Sequence, residues 1–399
     1  MEQQVTILCL ASYCKGTTFL TAAKQLGCRV LLVTREKLRD EAWPRQDIDE
    51  IYYMPRLSTQ PDIIYAIGYL MRSETIDRIV PLDDYDVPTA ALLREHFRIP
   101  GLGETVTRHF RDKLAMRLKA RAEGFRVPEF TPVFNHARLA EWMNQVSPPW
   151  LLKPRMEAGA MGIKRVNSAD EVWRWLNELG DQQSYFLLEQ FVTGDVFHVD
   201  TIMWQGKVEF ALAHVYGRPP IHVAHDGGVF VTRTMPRRDK DAKALLTFNA
   251  KLLKALGMVN GVSHTEFIKG ADGEFYFLET AARVGGANIE QMVEAAGGVN
   301  LWAEWAKMEV AQVRGEAYAA PPDAGNYAGV LICLAQQEWP DLSGYQAAEI
   351  VYRVHKQQHA GLIVASESQA RVEELIAEYG QRFAHDFLAV APPLDTAPV

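Results

Sequence analysis

A hairpin-forming segment at residues 261–280 constrains the fold more tightly than any other part of the chain. Two alternating apolar runs flank Asp272-Gly273, a dipeptide typical of two-residue hairpin loops. With that loop, the strand register brings Glu266 directly opposite Glu279, with their Cβ atoms about 5 Å apart. The segment therefore predicts two carboxylates that face each other on one side of a sheet.

These two facing glutamates need a compensating charge. Like charges at such a distance are destabilising, and a divalent cation shared between the carboxylates removes the repulsion. Mg²⁺ suits the pair, because it is usually bound through one or two carboxylates together with phosphate oxygens. The alternative is a solvated face. We favour the metal, because Phe275 and Phe277 share the predicted face of Glu279 and indicate a closed site.

The segment after the hairpin supplies groups that suit an anion. Arg283 is predicted on the same face as Glu279, and its planar guanidinium suits a phosphate or a carboxylate. Gly285-Gly286 lets the backbone approach an anion closely before a helix that starts near Ile289. An exposed arginine beside a flexible turn is the alternative interpretation.

The first hundred residues alternate predicted strands with predicted helices. Short apolar runs at residues 5–10, 29–34, 48–53 and 77–82 indicate buried strands, and the alternation is typical of a parallel sheet. The turn after the first run lacks the GxGxxG pattern of dinucleotide-binding folds, which disfavours a dehydrogenase. A Pro- and Gly-rich stretch at residues 100–103 indicates a domain boundary.

Three further segments precede the hairpin and fit a nucleotide site. Lys153 ends a predicted strand, and the loop of small residues that follows contains Gly159 and Gly162, an arrangement suited to phosphate. Residues 189–192 offer apolar walls, a backbone edge and one carboxylate, which suit an adenine ring. A charged helix is predicted over residues 111–123. Taken singly, each segment is explained equally well as an ordinary strand, turn or solvated helix face.

Composition argues against several other classes. The 399 residues suggest two or three domains, and 42 Lys and Arg against 50 Asp and Glu give a net charge of −8. No basic run in the sequence is long enough for a polyanion. No stretch approaches the ~18 uninterrupted apolar residues of a membrane span, and the four scattered cysteines suit a reducing compartment. We therefore expect a cytoplasmic protein without nucleic-acid or membrane partners.

Taken in order, these segments resemble the ATP-grasp superfamily. The resemblance covers roughly residues 108–314 and implies an α/β (α+β) chain with the ATP-grasp fold. The expected parts of the chain are a leading doubly wound parallel βαβ domain (residues 1–107), a two-lobed ATP-grasp unit (108–315) with a flap subdomain at about 127–207, and a small C-terminal β-rich lobe (316–399). The tail of that lobe after Ala391 is expected to be disordered.

The resemblance implies a role for each matching residue. Lys113 and Lys153 resemble the two nucleotide-phosphate lysines of the family. Glu266 and Glu279 resemble its metal carboxylates, and Arg283 resembles its phosphate-side arginine. The full set implied for the nucleotide is Lys113, Lys153, Gly159, Gly162, Glu189, Phe191, Val192 and His198.

Two positions depart from the family pattern. Ala281 stands where members often have asparagine two residues after the second glutamate, so we expect the metal to be held mainly by the two glutamates. Val196 stands where many members place a ribose-binding acid. Asp195 or His198 would then take over the ribose contact.

One branch of the superfamily is most similar. His264-Thr265-Glu266, followed by residues 282–286, resembles the L-amino-acid ligases. That branch also tends to carry a histidine ahead of the long helix, and His225 is the candidate on the substrate side. His225, His264 and Asp83 are candidate bases for the amine, and the sequence does not choose between them.

The resemblance therefore implies an ADP-forming carboxylate–amine ligase that uses ATP with Mg²⁺, or with Mn²⁺ in its place. A small carboxylate, such as an amino acid, and an amine would condense to an amide or dipeptide through an acyl phosphate. One alternative is a bicarbonate-activating enzyme of the carbamoyl-phosphate-synthase or biotin-carboxylase type. Another is a non-catalytic nucleotide-binding scaffold. Members of the superfamily are often dimeric, so a homodimer is an expected assembly.

Overall fold

The computed structural model describes residues 4–392 and residue 394. Its strands form three sheets, which follow one another along the chain. The disordered tail predicted after Ala391 lies largely outside the described residues. Within the described part of the chain, no helix is both long and apolar enough to cross a membrane.

The first sheet is parallel, as the alternation of strands and helices predicts. Ile7 packs in a cluster with the first helix, and Leu8 packs on the other face with the next two helices. Its strands are β1 (Thr6–Ala11), β2 (Arg29–Arg35), β3 (Glu50–Met54) and β4 (Arg78–Pro81). The strand order is β3-β2-β1-β4. The alternating helices are α1 (Thr17–Gln25), α2 (Asp62–Leu70) and α3 (Val87–Phe97).

Two helices, α4 (Glu104–Arg108) and α5 (Lys113–Ala122), lead to the second sheet. The side chain of Asp112 accepts hydrogen bonds from the backbone N–H groups of Leu114 and Ala115 and so caps α5. The helix therefore begins at Lys113, two residues later than its charged pattern predicts. The cap also fixes Lys113 in the first turn.

The second sheet is antiparallel and forms the flap unit with two helices. Ser168 Oγ accepts a hydrogen bond from Glu171 N and caps the second helix. The strands are β5 (Phe130–Pro132), β6 (Trp150–Pro154), β7 (Lys164–Val166) and β8 (Phe186–Gln190), and the helices are α6 (His136–Gln145) and α7 (Ala169–Leu179). In the order β5-β8-β6-β7, Lys153 of β6 pairs with Leu187 of β8, and its Nζ donates to the side chain of Glu189 on the same strand.

The third sheet has eight antiparallel strands. They are β9 (Asp195–Trp204), β10 (Lys207–Tyr216), β11 (Phe230–Thr234), β12 (Gly261–Lys269), β13 (Phe275–Ala281), β14 (Tyr327–Leu334), β15 (Ile350–Arg353) and β16 (His359–Ser366). Their order is β13-β12-β9-β10-β11-β14-β16-β15. β9, expected in the flap unit, therefore belongs to this sheet, and the C-terminal strands extend it. The division of the chain at residues 107 and 315 stays a prediction.

Long amphipathic helices cover the third sheet. Leu245 and Leu252 of α9 (Lys240–Leu256) are buried in one cluster with Phe267 and Phe277 of the hairpin. The ring centroids of Trp305 in α11 (Leu301–Arg314) and Phe19 in α1 are 5.7 Å apart, and this contact joins the cores of the first and third sheets. The remaining helices are α8 (Pro220–Asp226), α9 (Lys240–Leu256), α10 (Ile289–Gly297), α11 (Leu301–Arg314) and α12 (Gln369–Asp386).

In the hairpin β12–β13, Glu266 pairs with Glu279 as predicted, but the loop length and the register near the loop differ from the prediction. Gly270 N donates to Glu274 O, so the loop has three residues, 271–273, rather than two. This loop shifts the register by one residue, and a bulge at Leu278 shifts it back. The bulge also separates Phe277, buried in the core, from Glu279, which turns to the other side. The prediction that they share a face was wrong.

Candidate active site

A cavity of about 520 Å³ lies where the three sheets meet, a size typical of small-molecule sites. Of the predicted site residues, those lining it are Lys113, Lys153, Gly159, Glu189, Phe191, Val192, His264, Glu266, Glu279 and Arg283. Tyr13, Lys15 and Tyr85 of the first sheet's loops close one end. Three predicted site residues, Gly162, His198 and His225, are not among the described residues that line the cavity.

The paired glutamates both line this cavity. Glu266 accepts a 2.7 Å hydrogen bond from Tyr216 Oη, and His264 Nε2 lies 3.6 Å from the same carboxylate oxygen. Lys113 Nζ lies 2.7 Å from Glu279 Oε2. Burial opposes the charge on Glu266, but His264 and Tyr216 outweigh it and lower the pKa of Glu266. Both carboxylates therefore offer oxygen ligands to a hard cation.

Glu189 is buried and held by two cations. Its carboxylate accepts hydrogen bonds from Arg117 Nε, at 2.6 Å, and from Lys153 Nζ. Burial alone would raise the pKa of Glu189, but these partners lower it. The carboxylate is thus committed to the protein, whereas Phe191 and Val192 line the cavity, so their predicted contact with an adenine ring stays a prediction. The sequence had no signal for Arg117, which pairs across 72 residues.

Arg283 is held by the carboxylate of Asp84, which follows β4 of the first sheet. Its Nη2 donates to Asp84 Oδ2 at 3.2 Å, and its Nη1 donates to Val284 O at 2.9 Å. Arg111 Nε lies 3.9 Å from Asp84 Oδ1. Burial opposes ionisation of Asp84, but the two guanidinium groups hold its pKa at about 2. Sequence reasoning passed over Asp84, although it follows β4 at the carboxyl edge of a parallel sheet, where ligands bind.

A buried polar network lies behind the glutamates. Asp200 accepts hydrogen bonds from His198 Nδ1, at 2.7 Å, and from His264 Nδ1, at 2.9 Å. His198 Nε2 is hydrogen-bonded to Thr232, so this fully buried residue points away from the cavity. The expected ribose contact of His198 is therefore not available. The ligand atoms of these three residues lie within 4.8 Å of one another, and in this structure both histidines are hydrogen-bonded to Asp200.

Each of the three candidate bases, His264, Asp83 and His225, already interacts with another group of the protein. Burial lowers the pKa of His264, but Asp200 and Glu266 more than reverse this and raise it to about 9, so the ring is charged near neutral pH. Asp83 is buried and lies 2.5 Å from Lys15 Nζ. His225 lies in α8, outside the cavity lining, with Nε2 3.5 Å from Ala160 O of the flap loop.

Comparisons with known proteins agree with this geometry. No protein-family model matches the sequence. The chain is 25% identical over 240 residues to the L-arginine-specific L-amino acid ligase of Bacillus subtilis. The match covers 58% of this chain and 57% of the relative, so the chain spans little more than half the length of that curated protein.

Solved structures match over almost the whole chain. The L-amino acid ligase of Bacillus licheniformis gives a TM-score of 0.76 at 18% identity, covering 98% of this chain and 99% of that one. The biotin carboxylase domain of 2-oxoglutarate carboxylase from Hydrogenobacter thermophilus, solved with Mg-ADP and bicarbonate, gives 0.71 at 16% identity, covering 95% and 90%.

The sheets, the paired glutamates and these likenesses show that the chain has the ATP-grasp fold. Within that fold, the resemblance to L-amino-acid ligases predicted from His264-Thr265-Glu266 is confirmed by the sequence relatives.

Proposed function

We propose that the chain is an ATP-dependent, ADP-forming carboxylate–amine ligase. The observation that carries the proposal is the meeting of Glu266, Glu279, Lys113 and Arg283 at one end of the cavity. Phosphoryl transfer needs little covalent chemistry from a protein, and mainly needs aligned cations around the transferred group. This set provides a donor pair for a hard cation and two fixed positive charges.

The glutamate pair fits Mg²⁺, with Mn²⁺ as an alternative. Glu266 and Glu279 offer oxygen donors in register on adjacent strands, and a lysine ammonium already stands 2.7 Å from Glu279 as a counter-charge. We assign both residues as the ligands of the ion. When bound, Mg²⁺ would neutralise the β- and γ-phosphates of ATP.

The residues of the chain align and neutralise the reactants. A carboxylate oxygen of the acid attacks the γ-phosphorus of ATP, and the bond from that phosphorus to the bridging oxygen breaks, which releases ADP. Lys113 and Lys153 neutralise the nucleotide phosphates, and Arg283 holds the acyl phosphate. The amine nitrogen then attacks the acyl carbon, the bond to the phosphate oxygen breaks, and the extra proton of the nitrogen passes to the departing phosphate as the amide forms. Closure of the loop around Gly159 keeps water away from the acyl phosphate.

We propose small-molecule substrates, with an amino acid or another small carboxylic acid as the acid and an amine as its partner. The name of the Bacillus subtilis relative, an L-amino acid ligase, supports this choice. The cytoplasm, where ATP is available, is the proposed location. A homodimer is the proposed assembly, in line with the Hydrogenobacter domain, which was solved as a dimer.

The test is Mg²⁺-dependent release of ADP and phosphate, with the amino acids supplied singly and in pairs. Release of ADP that requires amino acids supports the ligase, provided that the mass of the condensation product is found in the same reaction mixture. Release driven by bicarbonate alone would contradict it and favour a carboxyphosphate enzyme. Glu279→Gln should lower ADP release by at least about 100-fold, because a metal ligand is lost. Glu274→Gln, an exposed change in the same hairpin, is the control, and near-normal turnover of Glu279→Gln would refute the metal assignment.

A further inference from the structure

One of the carboxylates that line the cavity differs from the others. These carboxylates belong to Glu157, Glu189, Glu266 and Glu279. Each of the last three faces a cation of the chain, namely Lys153 with Arg117, His264 and Lys113 respectively. The ion pairs found among the described residues include none for Glu157. Among the described residues, the hydrogen bond found for its side chain is the one from Tyr85 Oη, which donates to Oε2 at 2.8 Å.

Glu157 lies beside the predicted phosphate-transfer centre. Lys113 Nζ donates to the backbone oxygen of Glu157 at 2.7 Å and also lies 2.7 Å from Glu279 Oε2. One lysine thus connects the start of the flap loop with a predicted metal carboxylate. The Glu157 side chain reaches from there towards Tyr85, at the end of the cavity that the first sheet closes.

The cations at this end of the cavity already have partners of their own. Lys15 pairs with Asp83 at 2.5 Å, and Arg283 pairs with Asp84 at 3.2 Å. Glu157 is therefore not required to neutralise any of them. A carboxylate that is fixed by a hydroxyl group and directed into a binding cavity without a counter-ion is suited to a cationic group of a ligand.

We infer that Glu157, oriented by Tyr85, binds the non-reacting ammonium group of the acid substrate, which is therefore an amino acid. The inference rests on the proposed ligase function. An ammonium has three N–H donors and no acceptor, so it complements an unpaired carboxylate. The attacking amine is a poorer match, because an ion pair with Glu157 would hold its nitrogen in the protonated, unreactive form. Bicarbonate offers no such group.

The test replaces the amine by hydroxylamine, which is uncharged at neutral pH and traps an acyl phosphate as a hydroxamate. Each acid is compared with its analogue that lacks the amino group: L-alanine with propionate, and L-phenylalanine with 3-phenylpropionate. The measured quantity is the ratio of kcat/KM within each pair. Glu157→Gln should lower the preference for the amino acid by roughly 10- to 100-fold, because the substrate ammonium loses its counter-charge. The KM for ATP should change little.

Three variants sharpen the result. Glu157→Asp should restore part of the preference, which a merely structural role would not predict. Tyr85→Phe should lower the preference less than Glu157→Gln, because only the orienting hydrogen bond is lost. Glu178→Gln, an exposed carboxylate on α7 of the same flap unit, should leave it unchanged.

The possible outcomes separate the two proposals. Hydroxamate formation by the wild type with an unchanged preference in Glu157→Gln would overturn the ammonium subsite and leave the ligase standing. An effect on the KM of an amino acid used as the amine, with no effect on the acid, would also overturn it. Absence of hydroxamate with every acid in the wild type would refute the ligase function, and the subsite with it.

Discussion

Glu189 shows how a local pattern and a folded environment assign different roles to one side chain. The residue follows apolar positions before a turn, which suggests a carboxylate facing an adenine ring. In the structure its side chain is 1% exposed and bound by Arg117 and Lys153. Its partners come from α5 and β6, so no pattern around residue 189 could reveal them. In the structure it holds Lys153 in place, the residue that we propose for the nucleotide phosphates.

Glu189→Gln should destabilise the protein by about 3–5 kcal/mol, because it leaves the buried Arg117 without a charged partner. Urea unfolding measures the change in the free energy of unfolding. Glu129→Gln removes the exposed pair with Arg121 and should stay within the error of the same measurement. Equal effects of the two variants would contradict the structural role given to Glu189.

Asp86 predicts a specific pH dependence of stability. Burial and the neighbouring Asp83 raise the pKa of Asp86 to about 7, although hydrogen bonds from Ser12 oppose the shift. The pKa of Asp86 is higher in the folded than in the unfolded state. Its contribution to the free energy of unfolding is therefore complete below about pH 4 and is lost as the pH rises to 7. The wild type should therefore lose up to about 1.4 kcal/mol per pH unit relative to Asp86→Asn over this range. Parallel unfolding curves for the two proteins would contradict this.

At the scale of single elements, two glycines should respond oppositely to alanine. Gly273, in the hairpin loop, has φ +80°, so a side chain there is strained by about 1–2 kcal/mol. Gly380 lies inside α12, and the described neighbouring residues leave the space within 4 Å of its would-be Cβ open. Gly380→Ala should therefore stabilise the helix by about 0.5–1 kcal/mol. Thermal unfolding of both variants checks the opposite signs. A shift of the same sign in both would contradict the assigned backbone geometry.

The same hairpin shows what the sequence could and could not predict. Alternation and Asp272-Gly273 were sufficient to predict a hairpin with Glu266 opposite Glu279. Alternation and Asp272-Gly273 fit a two-residue loop without a bulge equally well, so the three-residue loop and the bulge at Leu278 were not predictable. The register shifts of the loop and the bulge cancel. The predicted pairing of Glu266 with Glu279 was therefore right, although the predicted face of Phe277 was wrong. Long-range partners such as Asp84 of Arg283 and Asp200 of His264 left no local signal at all.

At the scale of the whole molecule, the first sheet is part of the site. Asp84 follows β4 and holds Arg283 from the segment after β13, and Arg78 of β4 pairs with Glu309 of α11 at 2.5 Å. These buried pairs fix the first sheet against the third. Arg283 is therefore positioned from both sides of this junction.

Asp84→Asn should lower kcat for ADP release by roughly 10- to 100-fold, because Arg283 loses its charged anchor, with little change in the KM for ATP. Steady-state kinetics measures the split between the two constants. Asp62→Asn, an exposed change in α2 of the same part of the chain, is the control. A rise in the KM for ATP with an unchanged kcat would contradict a role for Asp84 in placing Arg283.

The continuity of the third sheet restricts how proteins of this kind can be shortened or recombined. β11 pairs with β14 along its length, and β16 and β15 follow on the outer side. A chain cut after α11 would expose the edge of β11, whose unpaired N–H and C=O groups are a template for intermolecular pairing. The C-terminal strands therefore protect this sheet from aggregation. They cannot be exchanged as an independent module unless the replacement also covers that edge.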